Sequence, residues 1–135
     1  MHMDWDRLYS PYYYNWLEAN SSVPIYMRRI YEEVSMSCAY PFKDVFRMTG
    51  HIKHREKPLK YLTGTPMWAL ALAVLQGKDV IDVYGIEMQD REYQEQAECF
   101  AFWVGFAGGR GIQLNIHCAD AIFKRPLYGA QPYHG

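Results

Sequence analysis

Met67 through Leu75 is an unbroken run of nine apolar residues, with a start signal before it and a stop signal after it. The Thr65 hydroxyl can accept an N–H of the first turn, and Pro66 loses no hydrogen bond at a first helical position. Gly77 supplies the stop. The run predicts a helix that begins at Thr65 and is buried on every side, since no polar stripe interrupts it. Val80-Ile81-Asp82-Val83-Tyr84 follows as a β-branched strand, and Gly85-Ile86-Glu87-Met88 turns out of it. A buried helix, a two- or three-residue joint and a strand ending in Gly and an acid form half of a parallel α/β unit.

The remaining pattern supplies partners for that unit. Residues 11–19, with Tyr12, Tyr13, Tyr14, Trp16 and Leu17, read as a short aromatic-faced helix ended by Asn20-Ser21-Ser22. Residues 23–27 read as a compact strand in which Pro24 is tolerated only at a first or edge position. Phe42, Val45 and Phe46 have helical spacing within 41–48, and Thr49-Gly50 closes that helix. Residues 51–60, with three lysines, one arginine and two histidines, read as a basic loop. Residues 90–108 form an amphipathic helix with Tyr93, Cys99, Phe100, Trp103, Val104 and Phe106 available for burial. Residues 112–116 alternate apolar and polar, as a strand with one wetter face does.

Three strands separated by helices predict an α/β fold, specifically a small, three-layer Rossmann-like open and mostly parallel sheet. Right-handed crossovers would then put the strands' carboxyl ends on one rim, together with Arg28, Arg29, Gly85, Glu87, His117, Cys118 and Asp120. A three-strand sheet is small for 135 residues, so an aromatic helix, the tail or a second copy of the chain is expected over its edge. Residues 1–128 are read as one domain and 129–135 as an extended tail.

Fourteen basic against fifteen acidic residues give a formal net charge of −1, and so no overall reason to expect nucleic acid or a membrane surface as partner. No run approaches the ~20 apolar residues of a membrane span, and a cytoplasmic setting is expected. Cys38, Cys99 and Cys118 are odd in number and lack a CxxC spacing, which favours reduced thiols over a disulfide framework. His51, His54, His117 and Cys118 lack the paired spacings of a zinc site, so no metal is expected. The twelve tyrosines and four tryptophans suit subunit interfaces or stacking pockets, and a homo-oligomer is expected.

Candidate binding residues fall at turns, at a strand end and at a helix start. The Thr63-Gly64-Thr65 turn offers hydroxyls and N–H groups at a helix N-terminus, suited to a phosphate or a nucleobase oxygen; ordinary capping is the alternative. Gly85 and Glu87 end the central strand, where an acid binds a ribose hydroxyl or accepts loop amides. Glu92 and Gln96, at i and i+4, share a helix face beside Tyr93 and either read a polar ligand or form a solvated first turn. Arg110, between glycines, reaches a phosphate or simply follows a chain reversal. The basic stretch Lys53, His54, Arg55, Lys57, Lys60 is a solvated loop or a lid over an anionic ligand.

The segment Thr65-Pro66-Met67-Trp68 … Leu72-Ala73 … Gly77-Lys78-Asp79-Val80-Ile81-Asp82-Val83-Tyr84-Gly85-Ile86-Glu87-Met88 resembles the Ser-Gly-x-Tyr … Gly-Ile-Asp-Phe block of the bacterial sialyltransferases of the CstII type. It is also similar to a block in the MptE-like pterin diphosphokinases and in phage proteins related to both. The phage-type relatives look similar again at 23–27, at Ala39-Tyr40-Pro41, at Glu92-Tyr93 with Gln96, at Gly105 through Ile112, and at Leu127-Tyr128-Gly129. The resemblance covers residues ~23 to 129 and implies a Rossmann-like nucleotide-binding scaffold in which Arg28, Thr65, Glu87 and Tyr93 bind a nucleotide or nucleotide-sugar donor. In that superfamily another strand and a nucleotide loop come first, and this chain is expected to start after them. The sialyltransferase base histidine has no counterpart in Gln89-Asp90-Arg91, so sialyl transfer is not implied. The function expected is a nucleotide-dependent transferase of the glycosyltransferase or diphosphokinase kind; the alternative is a non-catalytic oligomeric binding or structural module on the same scaffold.

Overall fold

The structure of the chain, a computed structural model, describes residues 11–87 and 94–124. Its elements in chain order are α1 (Pro11–Ala19), β1 (Ile25–Met27), β2 (Ser37–Ala39), α2 (Phe42–Met48), β3 (Lys53–His54), β4 (Lys57–Pro58), α3 (Thr65–Leu75), β5 (Val80–Val83), α4 (Gln94–Gly109), β6 (Gln113–Ile116) and α5 (Asp120–Phe123). The fold is mixed α/β, with two parallel strand pairs and one antiparallel hairpin among the described residues. The chain divides into two compact units between Phe42 and Lys43.

In the first unit, β1 pairs in parallel with β2, in the register Ile25 to Ser37, Tyr26 to Cys38 and Met27 to Ala39. The pairing corrects the expected single sheet, because the ladder partner of residues 25–27 is a neighbouring segment that reads as small and polar. Ser37 explains why that segment serves as a strand. Its hydroxyl oxygen accepts the Tyr31 N–H at 2.9 Å and donates to the Tyr31 carbonyl at 3.1 Å, so the connection is pinned by one side chain. Leu17 and Val34 are buried, with Ile25, Met27 and Tyr31 packed on them.

In the second unit, α3, β5, α4 and β6 form a parallel βαβ arrangement with α3 leading into it. The register runs from Val80 opposite Gln113 to Val83 opposite Ile116. Gly77, at φ +72°, makes the predicted reversal between α3 and β5, and Gly111, at φ +84°, makes the one between α4 and β6. The core is Met67, Leu70, Ala71 and Val74 of α3 against Cys99, Phe100, Trp103 and Ala107 of α4. Burying a Met or Phe contributes about 1.5–3 kcal/mol each, so these two facing stripes dominate the unit's stability.

α3 is nevertheless not buried on every side. Positions 67, 70, 71 and 74 form an i, i+3, i+4, i+7 stripe, whereas Ala69 is exposed and Trp68, Leu72 and Ala73 are half-buried. Small side chains on the outer face make this tolerable, since alanine exposes little apolar area. β5 likewise has a single ladder neighbour among the described residues, and its outer face is open, with Val80 50% and Tyr84 68% exposed. Residues 51–60 contain a hairpin instead of a loop. Its two-residue turn places Arg55 (φ 50°) and Glu56 (φ 70°) in left-handed backbone that glycine or asparagine ordinarily occupies, so sequence gave no turn signal. Thr49, buried at the end of α2, donates through Oγ1 to the Leu59 carbonyl at 3.0 Å and fixes the hairpin's return strand.

Candidate functional site

Connectivity decides which ends of these elements meet. α3 runs toward the start of β5, so its N-terminus lies at the carboxyl end of that strand, and α4 leaves from the same end. The Thr63-Gly64-Thr65 turn, the Gly85-to-Glu87 segment, Gln96 and His117 therefore share one rim of the second unit. Beside it lies a groove of about 210 Å3, walled by Pro66, Ala69 and Ala73 of α3, Ile81 and Val83 of β5, and Phe100 of α4, with Asp82, Tyr84 and Ile86 at its strand side. Its volume is below the ~300 Å3 lower bound of typical drug-sized pockets and suits one ring, either a base or a sugar.

Gln96 is brought onto the turn, as a shared ligand face requires. A Cβ added to Gly64 would lie 2.6 Å from Gln96 Oε1 and 3.1 Å from the Met67 methyl, so glycine here makes room for that amide. The backbone at Gly64 is extended, and the requirement is one of space. The turn is less suited to phosphate than expected. Gly64, one residue earlier than predicted, is the N-cap, and no side chain caps the helix. Pro66 has no N–H, while the Met67 and Trp68 N–H groups both donate to the Gly64 carbonyl at 3.1 Å. Thr65 N–H and the Thr63 and Thr65 hydroxyls remain to meet a ligand, which is enough for one oxygen.

The rim is also acidic. Burial pushes the Tyr61 hydroxyl pKa up, and Cys99, Glu98 and Glu95 add to the shift in that order. Glu87 is exposed just past Gly85, which sits at φ +73°. Such surroundings favour ligand hydroxyl and amino groups over bare phosphate. The turn's approach is held firmly. Trp103, fully buried, donates its indole N–H to the Tyr61 carbonyl at 2.7 Å, two residues before Thr63.

A cluster that sequence did not single out lies on the outer face of the strand pair. His117 Nε2 is 3.3 Å from Asp82 Oδ1, and the Tyr84 and His117 rings stack at 4.3 Å with 7° between planes. Side-chain alternation puts Asp82 and Tyr84 on one face, but their meeting with His117 depends on the β5–β6 register, which no local signal encodes. Cys118 is buried with Sγ 3.7 Å from the Val83 carbonyl, behind this cluster.

Four predicted ligand residues are placed elsewhere or not described. Arg28 belongs to the first unit, exposed immediately after β1. Arg110 follows the far end of α4, a helix of 16 residues, and so lies about 24 Å from the rim, with its guanidinium 5.5 Å over the Phe106 ring. Glu92 and Tyr93 fall outside the described residues, as does Leu127-Tyr128-Gly129. No described helix is long and apolar enough to cross a membrane. No family model, curated protein or solved structure matches this chain.

Proposed function

We propose that the rim formed by Thr63, Gly64, Thr65, Gly85, Glu87 and Gln96 binds the base or sugar end of a nucleotide or nucleotide-sugar, on a Rossmann-like scaffold serving a nucleotide-dependent transferase. The observation that carries this reading is the side-chain-free Gly64 under the Gln96 amide, beside an apolar groove of one-ring size. Apolar walls take the ring faces, and the hydroxyls, amide and carboxylates surrounding them match the ring's polar edge. On this reading the phosphates project outward into solvent, away from the carboxylates of the rim.

A thermal-shift screen over CMP-, UDP- and GDP-sugars, ATP and pterins tests it. A ligand at ~100 times its dissociation constant adds about 2.7 kcal/mol, which at this chain length raises the melting temperature by roughly 8–13 °C. The rise should vanish in Gly64→Val, whose side chain fills the space under Gln96. No rise with any of these ligands in the parent chain would refute the reading.

The exposed outer face of β5 favours a second reading, a non-catalytic module that self-associates. Val80 and Tyr84 are half or more exposed there, and β5 has a single ladder neighbour among the described residues. Light scattering discriminates: this reading requires a defined oligomer, and a monomer at micromolar concentration rejects it.

A further inference from the structure

Net charge conceals a segregation along the chain. Residues 43–60 hold six of the fourteen cationic residues and only two acids, which leaves the rest of the chain acidic. The fold adds Arg110 to this group. It lines a concavity of about 400 Å3 together with Asp44, Arg47, Met48, His51 and Leu75, at the end of α3 and α4 opposite the rim. Phe106 lies beside two of these lining residues, with the Arg110 guanidinium 5.5 Å over its ring and the His51 ring 6.4 Å from it. Lys53 folds back to donate to the Gly50 carbonyl at 2.7 Å, and the exposed hairpin holds Arg55 and Lys57 beyond it.

Cations at helix C-termini ordinarily offset the carbonyl ends. That role accounts for two charges at two helix ends, and Arg110 rests on an aromatic ring with no carboxylate partner among the described residues. Arg47 does have one, Asp44 Oδ1 at 3.1 Å, but both side chains are more than half exposed and the pair is worth at most about 1 kcal/mol. An incoming dianion competes readily for that guanidinium.

We infer that this concave basic surface binds a phosphate group, with Arg47 and Arg110 as the guanidinium forks and His51 as a further donor. Guanidinium forks match phosphate oxygens bidentately, and the surrounding Lys53, Arg55 and Lys57 extend the attraction beyond one group. Such a phosphate belongs either to a nucleic-acid backbone or to a small phosphorylated molecule, and the two sources separate by experiment.

Fluorescence anisotropy with a labelled twelve-nucleotide oligo(dT) and calorimetry with pyrophosphate, both at 50 mM salt, test the inference on the full chain. At least one probe should bind, and Arg47→Ala/Arg110→Ala should weaken it tenfold or more. Arg47→Lys/Arg110→Lys should recover part of the affinity and confirm an intact fold. For this single-stranded oligonucleotide, each lost phosphate contact lowers the slope of log affinity against log salt by about 0.7. Binding of the oligonucleotide alone assigns a strand, and binding of pyrophosphate alone assigns a small phosphorylated molecule. Lys124→Ala, which removes an exposed cation just past α5 and outside the lining of the concavity, should bind either probe as the parent does. Absence of binding to both probes, or equal binding by the double alanine variant, overturns the inference.

Discussion

Trp103→Phe is the substitution that weighs most on the second unit. The indole is fully buried, its N–H donates to the Tyr61 carbonyl at 2.7 Å, and its ring meets Phe102 and Phe106 edge-on at 5.5 and 5.3 Å. Phenylalanine keeps most of the ring contact but removes the donor. The carbonyl then retains only Cys99 Sγ at 3.6 Å, a weak donor, so its desolvation costs about 1–3 kcal/mol. The smaller ring leaves a void adding about 1–2 kcal/mol. A loss of roughly 2–5 kcal/mol at this chain length corresponds to a melting point lowered by about 10–15 °C at the middle of that range. Urea denaturation supplies the free energy and thermal melting the shift. Because Cys99 serves the same carbonyl, Cys99→Ala combined with Trp103→Phe should cost more than the sum of the single changes. A Trp103→Phe loss below about 1 kcal/mol, or strict additivity with Cys99→Ala, would refute the view that this carbonyl's hydrogen bonding holds the approach to the Thr63-Gly64-Thr65 turn.

Three further outcomes are expected. Gly64→Ala places a methyl 2.6 Å from Gln96 Oε1, the end of a flexible side chain, so it should cost under about 1 kcal/mol in urea melts and lose most of that cost in a Gln96→Ala background. Gly77→Ala has open space but a φ of +72°, so left-handed strain of about 1 kcal/mol should appear, and Gly77→Asn should cost less. Burial raises the Tyr40 hydroxyl pKa from 10.0 to about 12. The folded state then holds that proton more tightly, so stability is full below pH 10 and falls as pH rises toward 12, by roughly 2–3 kcal/mol in urea melts, and Tyr40→Phe should remove most of that decline, leaving the part due to Tyr61, whose pKa is also raised.

Local chemistry made much of the fold legible. Thr65-Pro66 and Gly77 bracket α3 because proline and left-handed glycine have fixed positional meaning, and the alternation in 112–116 places β6. Pairing was not legible. Ser37–Ala39 has three residues and little β-branching, and it forms a strand because Ser37 grips Tyr31 and Ile25–Met27 lies alongside. The hairpin escaped notice because Arg55 and Glu56 occupy positive φ without glycine. At the candidate site, Gln96 was recoverable from helix spacing near a helix start. Asp82, Tyr84 and His117 were not, since only the register of two strands brings them together. Arg110 reads as a phosphate ligand from its glycine-flanked position, and the length of α4 places it at the end opposite the rim.

That separation follows from helix polarity as much as from connectivity. α4 carries Glu95 and Glu98 in its first turns and is followed directly by Arg110, the order in which charges complement a helix macrodipole. Those charges favour the helix by about 0.3–1 kcal/mol each and also sort charge along the unit, with acids toward the rim and cations toward the concavity. One amphipathic helix thus gives two surfaces of opposite preference about 24 Å apart, one for the hydroxyl and amino edges of a ring and one for phosphate. A single nucleotide is far too short to span that distance. If both surfaces bind, their ligands are separate groups, and the affinity of each should be independent of the other's occupancy. Competition between a phosphate-free nucleoside that binds the rim and pyrophosphate in the same calorimetric cell would show that both compete for a single site, and would require the placement of one of them to be abandoned.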